Sequence, residues 1–465
     1  MKGYAALILA AGKGTRMRSR LCKVLHTVAG RPMLAYVTDA VRSAGLSRIV
    51  VVVGHQADEV KRVLQEDEID FVLQEPQLGT GHAVAAAHDV MEGFSGDVLI
   101  LCGDVPLIEP ATIDAFIRYH ELHTSRLTVL TTCPQDPTGY GRIIRSEGGL
   151  IARIVEEKDA RDEEKAVGEI NTGIYLVDSN LLYDLLERIT PNNAQREYYL
   201  TDIVREAAKE SIPVQGYVLE DAAQMVGVNT RAELAYVSSR IWKTRREDLM
   251  RSGVTLLEPA SVYIDRQVTV GEDTVVHPLV TLSGDTQIGR DCIIESVVTI
   301  RDSRIGNNVS ILQGSRLDRV VVEDGASIGP MAHLRPETTI GRDARIGNFV
   351  EIKKTVVGDG TKAAHLTYLG DSVIGDNVNI GCGTITCNYD GKKKHPTFIG
   401  NQCFIGSDVQ LVAPVEVGSG SIIGAGSTIT RDVPPNSLAV SRTKQRNYPL
   451  RHGQEPKITD EDREP

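Results

Sequence analysis

The sequence predicts an α/β domain followed by a parallel β-helix, and three observations carry that prediction. The first half alternates short apolar runs with longer amphipathic stretches. Through the second half an aliphatic residue followed by glycine keeps returning. Between the two lies a charged, proline-free stretch that ends on glycine.

In the first half, Ala5–Ala10, Ile49–Val53, Phe71–Gln74 and Val98–Leu101 are near-continuous apolar runs, the pattern of strands buried on both faces. Met33–Ala44 has apolar residues at helical spacing. Strand and helix alternating in this way predict a parallel sheet. The stretch RAELAYVSSRIWKTRREDLMRSG reads as one long helix with a glycine stop, joining the domains. From Val254 the pairs Val270-Gly271, Ile288-Gly289, Ile305-Gly306, Ile328-Gly329, Ile340-Gly341 and Ile346-Gly347 begin a series that runs to Ile423-Gly424, with gaps clustering at 6, 12 and 17–18 residues. One inward aliphatic per six residues means short strands and turns around a narrow core, three units to a triangular coil. Breaks in the period predict loops leaving the coil at Gln313–Glu323, Lys353–His365 and Asn388–Pro396. The polar segment from Gln445 is expected to fray. The expected domains are 1–229, a linker helix at 230–253, the β-helix at 254–442 and a polar tail at 443–465.

The bulk composition agrees with this. A chain of 465 residues holds two to four domains at ~100–200 residues each. Aromatics are only 5%, so the core is built from Val, Ile, Leu and Ala. A net charge of -11 argues against nucleic acid as a partner but leaves room for a phosphorylated substrate held by local cations. The 7 cysteines form no CxxC pair and lack zinc spacing, which fits free thiols in a reducing compartment. The first residues do not read as a signal peptide, and no apolar run reaches the ~18 residues of a membrane span. The expectation is a cytoplasmic protein with no membrane partner.

Two segments carry chemistry. The first, LAAGKGTRM, follows directly on an apolar strand. A glycine-rich turn there brings backbone N–H groups close to phosphate, and Arg16 and Lys23 add positive charge. Neither the dinucleotide motif nor the P-loop motif is present, and Lys23 alone could be a solvated surface residue. The second segment is KAAHLTYLGDSVIGDNVNIGCGTITCNYDGKKKHPTFIG. His365 within it could act as a general base, because imidazole titrates near pH ~6.5. A surface histidine is the plainer alternative.

The first motif, L-x-x-G-x-G-[ST]-x-[ML] followed by a lysine, resembles the sugar nucleotidyltransferases, which join a sugar 1-phosphate to a nucleoside triphosphate and release pyrophosphate. On that resemblance the fold is Rossmann-like. Leu9, Ala10, Ala11, Gly12, Arg16 and Lys23 form the phosphate loop, and Gln74, Gly79 and Thr80 read uracil. Gly141, Glu156 and Asn171 hold the sugar, and Asp104 and Asn229 bind the metal, expected as Mg²⁺ with hard oxygen ligands. The sequence departs from the family at Cys22, where proline is frequent, and at Cys102, where tyrosine is frequent.

The second segment resembles the acetyltransferase half of the bifunctional N-acetylglucosamine-1-phosphate uridyltransferase/glucosamine-1-phosphate acetyltransferase family. The resemblance runs from about Leu7 to Arg442. It implies a left-handed β-helix, a hand against the usual crossover rule, and a homotrimer. His365 is then the catalytic base, and Arg335, Lys353, Tyr368 and Asn379 hold the sugar phosphate. Cys382, Asn388, Tyr389, Ser407, Ala425 and Arg442 contact acetyl-CoA, Cys382 standing as tolerated packing where some relatives have alanine. Cys387 and Cys403 are expected to face inward. The implied activity acetylates glucosamine 1-phosphate and then uses UTP to make UDP-N-acetylglucosamine, a cell-wall and lipopolysaccharide precursor. Two alternatives stand beside it. One is a monofunctional nucleotidyltransferase of the ADP-glucose or dTDP-glucose type whose β-helix only oligomerises or regulates; the other is a non-enzymatic repeat scaffold. His365 with the Arg335/Lys353 pair argues against the first, and Asp104 with Asn229 and the phosphate loop against the second.

Overall fold

The computed structural model describes residues 3–64 and 68–447, in two compact units: 1–247 with 264–266, and 248–263 with 267–465. The first unit is built on nine strands: β1 (Gly3–Leu9), β2 (Arg48–Val53), β3 (Ile69–Leu73), β4 (Gly96–Cys102), β5 (Leu127–Thr132), β6 (Arg142–Arg145), β7 (Ile151–Val155), β8 (Ile170–Asp178) and β9 (Val214–Leu219). Their order is β9-β5-β8-β4-β1-β2-β3, with the β6–β7 hairpin attached through β8. Alternate residues of β1 feed opposite faces: Ala5 and Leu7 join one apolar core, Ala6 and Ile8 the other. That explains the near-continuous apolar runs, since a strand covered on both sides has no polar face.

The sheet read as parallel is a mixed one. β1, β2, β3 and β4 run parallel, but β8 lies antiparallel between β4 and β5. The β6–β7 hairpin delivers β8 from the other end. Because β8 is buried almost throughout, its sequence looks like that of its parallel neighbours. The helix expected at Met33–Ala44 is α1 (Met33–Ser43). The long charged helix is α2 (Arg231–Arg251), followed by Gly253 at φ +93, a backbone state that favours glycine. No helix among the described residues is long and apolar enough to cross a membrane.

The second unit is a parallel β-helix with the coils expected of the left-handed type. Strands pair with strands one coil on, 17 or 18 residues away, and the recurring aliphatics stack inward. One column runs Ile288, Ile305, Val322, Ile340, Val357, Ile374, Ile399 and Val417, each paired in register with the next. A ladder of side chains closes one turn of successive coils. Asn307 Oδ1 accepts from Arg290 N at 3.1 Å, Asp324 Oδ1 from Asn307 N at 2.7 Å, Asp359 Oδ1 from Arg342 N at 2.7 Å and Asp376 Oδ1 from Asp359 N at 2.8 Å.

Of the three expected loops, one forms. Asn388–Pro396 leaves the coil, so Ser372 pairs with Thr397 across a longer step. Gln313–Glu323 stays in the coil, as strands Arg316–Asp318 and Val320–Val322; the motif vanished because Glu323 follows Val322 where glycine was looked for. Lys353–His365 also stays in the coil. It lies across two long paired strands, β10 (Arg345–Val357) and β11 (Lys362–Ile374), with Ala363 filling the inward position between Ile346 and Ile380. His365 is therefore on a strand rather than a loop. Most of the tail expected to fray, 448–465, lies outside the described residues.

Candidate functional sites

The first site opens at the carboxyl ends of β1 and β4, where open α/β sheets place their ligands. A cavity of about 620 Å³ is lined by Leu9, Ala10, Ala11, Gly12, Lys23, Gln74, Gly79, Thr80 and Asp104, together with Lys13, Gln77, Cys102 and Glu197. The sheet holds its rim in place: Ala10 N donates to Val52 O at 2.8 Å, Gly103 N to Leu9 O at 2.9 Å and Gln74 N to Val53 O at 2.8 Å. Gly14 has φ +60, and a Cβ there would stand 2.6 Å from Lys23 Cβ, so the loop after β1 closes only with glycine. Gln77 Nε2 donates to Ala11 O at 2.7 Å and Gln74 Nε2 to Gly79 O at 2.9 Å, tying the loop after β3 to the phosphate loop. Thr80 Oγ1 accepts from Leu200 N at 3.0 Å.

The sugar-binding candidates form a second cluster. Asn171 N donates to Gly141 O at 2.9 Å, and Asn171 Nδ2 to Tyr175 Oη at 2.9 Å. A Cβ on Gly141 would stand 3.2 Å from Ile154 Cγ2 and 3.5 Å from the Glu156 carboxylate, so the Gly141 backbone lies against both. Burial pushes the Glu156 carboxyl up, against the bond from Thr201 at 3.3 Å, and Asp159 and Asp202 push the same way.

Asp104 and Asn229 converge. Val228 N donates to Asp104 O at 2.9 Å, and Asn229 N donates to Glu233 Oε2 at 2.7 Å. Lys23 Nζ bonds both Asp104 Oδ2 and Asn229 Oδ1, the latter at 3.1 Å. One cation already bridges the two oxygens, and a carboxylate with an amide oxygen is a donor pair that fits a hard divalent ion. Burial and the neighbouring Asp104 carboxylate push the Cys102 thiol up to about 12. Cys22 uses the donor that a proline would lack, because its N–H reaches Gln56 Oε1 at 2.6 Å.

The second site lies on the β-helix. His365 is exposed at a corner, and its Nδ1 is 3.1 Å from Asn348 Oδ1, one coil earlier. An amide oxygen only accepts, so this contact assigns a proton to Nδ1, and in the neutral ring that tautomer leaves the lone pair on Nε2. From His365 a file climbs the same corner: Gly383 N donates to Leu366 O, Asp408 N to Cys382 O and Gly426 N to Ser407 O, while Arg442 Nη1 donates to Ala425 O at 2.8 Å. His365, Cys382, Ser407, Ala425 and Arg442 thus occupy successive coils, a path of ~19 Å at ~4.8 Å per strand spacing.

The sugar-phosphate candidates gather one face on. Arg335 and Lys353 are on successive coils, and Arg335 Nη1 bonds Glu351 Oε1 at 2.7 Å. Asn388 Nδ2 donates to Asp371 Oδ2 at 2.5 Å and approaches Tyr368 Oη at 3.5 Å. Lys394, on the Asn388–Pro396 excursion, reaches Lys353, and its hydrogen bond to that amine, with burial and its like charge, lowers the Lys353 pKa. In the same excursion Asp390 accepts from Lys392 N, Lys393 N and His395 Nε2, which hold its carboxyl down to about 2. Tyr389 is exposed, its hydroxyl donating to Gly391 O at 2.7 Å. Asn379 is not brought to this face; it pairs with Lys362 and Phe404 before the corner. Two cysteine expectations need correction. Cys387 is half-exposed because Thr386 takes the inward position, and Cys382 is exposed in the corner file rather than packed; Cys403 does face inward.

Residues 6–163 match the MobA-like NTP transferase domain, and residues 316–433 match the GMPPB C-terminal domain. Among curated proteins, "Bifunctional protein GlmU" of Geotalea uraniireducens is 52% identical, covering 96% of this chain and 98% of its own length. The protein of the same name from Shouchella clausii is 45% identical over 96% of this chain and 98% of its own. The chain belongs to the GlmU family. A solved UDP-glucose pyrophosphorylase complexed with UDP-glucose covers 53% of this chain at 18% identity, with a TM-score of 0.44.

Several residues at the two GlmU-family sites escaped the sequence reading. Gln77 lines the cavity from within the Gln74–Thr80 segment but was not singled out there, and Glu197 lines it from a segment without a motif. Glu233 holds Asn229 from the first turn of α2. Asn348 could have been found, since it lies one coil before His365. Lys394 is hidden in a run of three lysines.

Proposed function

We propose that this chain makes UDP-N-acetylglucosamine at two sites. In the β-helix, the amine of glucosamine 1-phosphate attacks the thioester carbonyl of acetyl-CoA. A C–N bond forms, the C–S bond breaks, and CoA leaves as the thiol. His365 Nε2 accepts the amine proton and passes it to the leaving sulfur, and Asn348 holds the ring in the tautomer that can do so. Arg335, Lys353 and Lys394 would neutralise the sugar phosphate. Cys382, Ser407, Ala425 and Arg442 offer a narrow, small-residue path for the pantetheine arm, ending on a guanidinium suited to the phosphorylated end.

In the first unit, a phosphate oxygen of N-acetylglucosamine 1-phosphate attacks the α-phosphorus of UTP, and pyrophosphate leaves. The phosphate loop, Arg16 and Lys23 position and neutralise the triphosphate. Asp104 and Asn229 would hold Mg²⁺, which supplies further neutralisation of the phosphate oxygens when bound. UTP and acetyl-CoA as substrates fit a cytoplasmic enzyme.

We also infer a homotrimer. One corner of the β-helix carries Leu279, Val297, Met331, Phe349 and Leu366, all at positive φ and 49–61% exposed. The other two corners hold mostly Asp, Asn and Gly at positive φ, as left-handed backbone prefers. Bulky apolar side chains there are unfavourable both for the backbone and for solvation, which supports burial against other copies.

The observation that carries the two-site reading is the corner file from His365 to Arg442 in the same chain as the phosphate-loop cavity. The test supplies glucosamine 1-phosphate, acetyl-CoA, UTP and Mg²⁺, and follows UDP-N-acetylglucosamine by anion-exchange chromatography. Product should appear, and should vanish when acetyl-CoA is left out. Pyrophosphate release from N-acetylglucosamine 1-phosphate without any CoA release would favour the monofunctional reading.

A further inference from the structure

The Lys23 ammonium stands where a divalent cation would be expected to bind. It bonds Asp104 Oδ2 and Asn229 Oδ1, and Arg16 Nη2 reaches the same Asn229 oxygen at 2.9 Å. The Lys23 and Asp104 side chains are each only 16% exposed. The Asn229 amide is held by its Nδ2 donating to Gly227 O at 3.2 Å and by its backbone N–H donating to Glu233 Oε2 at 2.7 Å, and the Asp104 backbone is pinned by Val228 N donating to its carbonyl at 2.9 Å. The ammonium, by contrast, ends a flexible four-carbon stem. That stem packs along Gly14 in the glycine-rich loop.

Charge balance decides what this arrangement does. Lys23 faces the Asp104 carboxylate, with Arg16 close by and the Glu233 carboxylate already bonded to the Asn229 and Thr230 N–H groups. Adding a doubly charged ion with no anion present would place it against these cations in a partly desolvated site. A triphosphate changes the balance, because its oxygens attract the ammonium and leave Asp104 unpaired. We propose that Lys23 is a placeholder cation: it competes with the divalent ion for Asp104 and Asn229, and so couples metal entry to nucleotide entry. The proposal rests on reading Asp104 and Asn229 as metal ligands. Linkage makes the coupling reciprocal, so the ion in turn frees Lys23 for phosphate.

The test is a Mn²⁺ titration of the full, nucleotide-free chain, reading free Mn²⁺ by its electron paramagnetic resonance signal. Wild type is compared with Lys23→Met, Lys23→Gln, Asp104→Ala and the double variant Lys23→Met/Asp104→Ala, with metal-free thermal unfolding as a check that each is folded. Lys23→Met and Lys23→Gln should bind Mn²⁺ more tightly than wild type by about 5–150-fold, the range of coupling between linked sites. Adding Asp104→Ala should erase the gain. If both Lys23 variants bind no more tightly than wild type while Asp104→Ala still weakens binding, the metal site stands and the placeholder is wrong. If Asp104→Ala changes Mn²⁺ binding in neither background, the metal reading itself fails.

Discussion

Gly347 separates the positioning of His365 from the general stability of the β-helix. It precedes Asn348 on β10, directly beneath the coil that carries His365. A Cβ at Gly347 would stand 2.7 Å from Ala364 Cα and closer still to the Ala364 carbonyl, and backbone cannot rotate out of the way. Gly347→Ala must therefore push β11 outward by much of an ångström at the residue beside His365. Overpacking of this kind costs about 1–3 kcal/mol, which lowers the melting temperature by ~2–4 °C per kcal/mol in a unit of this size. The effect on chemistry should be larger, because a 1 Å misplacement can cost about 10²-fold in rate. The expected result is CoA release down about a hundredfold, with pyrophosphate release unchanged. Gly289→Ala is the control: its Cβ would stand 2.7 Å from Gly306 C, several coils away from His365, so it should lower stability without the same loss of CoA release. Equal loss in both variants, or near-normal CoA release in Gly347→Ala, would refute the idea that coil spacing positions His365.

Lys394→Met should raise the KM for glucosamine 1-phosphate by roughly ten- to a hundredfold, the equivalent of a charged hydrogen bond, with kcat little changed; initial-rate kinetics check this. Burial pushes the Glu156 carboxyl up in the folded chain, so its contribution to stability is fully present below the ordinary carboxylate range and is lost as pH rises through the folded value. Glu156→Gln should accordingly melt higher than wild type at pH 8 without ligands, an advantage that shrinks in acid, while its KM for the sugar phosphate rises. Val297→Glu puts a charge on the apolar corner and should shift sedimentation from trimer to monomer.

The sequence made legible whatever local chemistry dictates. Apolar runs marked the strands of the first sheet, and the phosphate loop announced itself through glycines that Gly14 shows to be obligatory. What it hid depends on pairing between distant residues. β8 is antiparallel but buried on both faces, so direction left no trace in its composition. Val322-Glu323 and Ala363-Ala364 keep the coil without the aliphatic–glycine pair, so an unbroken helix looked interrupted. The bond between Asn348 and His365 follows from the 17-residue coil step and becomes visible only once that step is known. Lys394 reaches Lys353 because the excursion folds back through the Tyr389–Lys394 bridge, which nothing in KKK foretells.

The central claim is that one chain carries two independent active sites, and a reciprocal pair of variants tests it most directly. His365→Ala and Asp104→Ala are each assayed for CoA release from acetyl-CoA with glucosamine 1-phosphate, and for pyrophosphate release from UTP with N-acetylglucosamine 1-phosphate and Mg²⁺. His365→Ala should lose CoA release and keep pyrophosphate release, and Asp104→Ala should do the reverse. Loss of both activities in either folded variant, or CoA release that survives His365→Ala intact, would contradict the account.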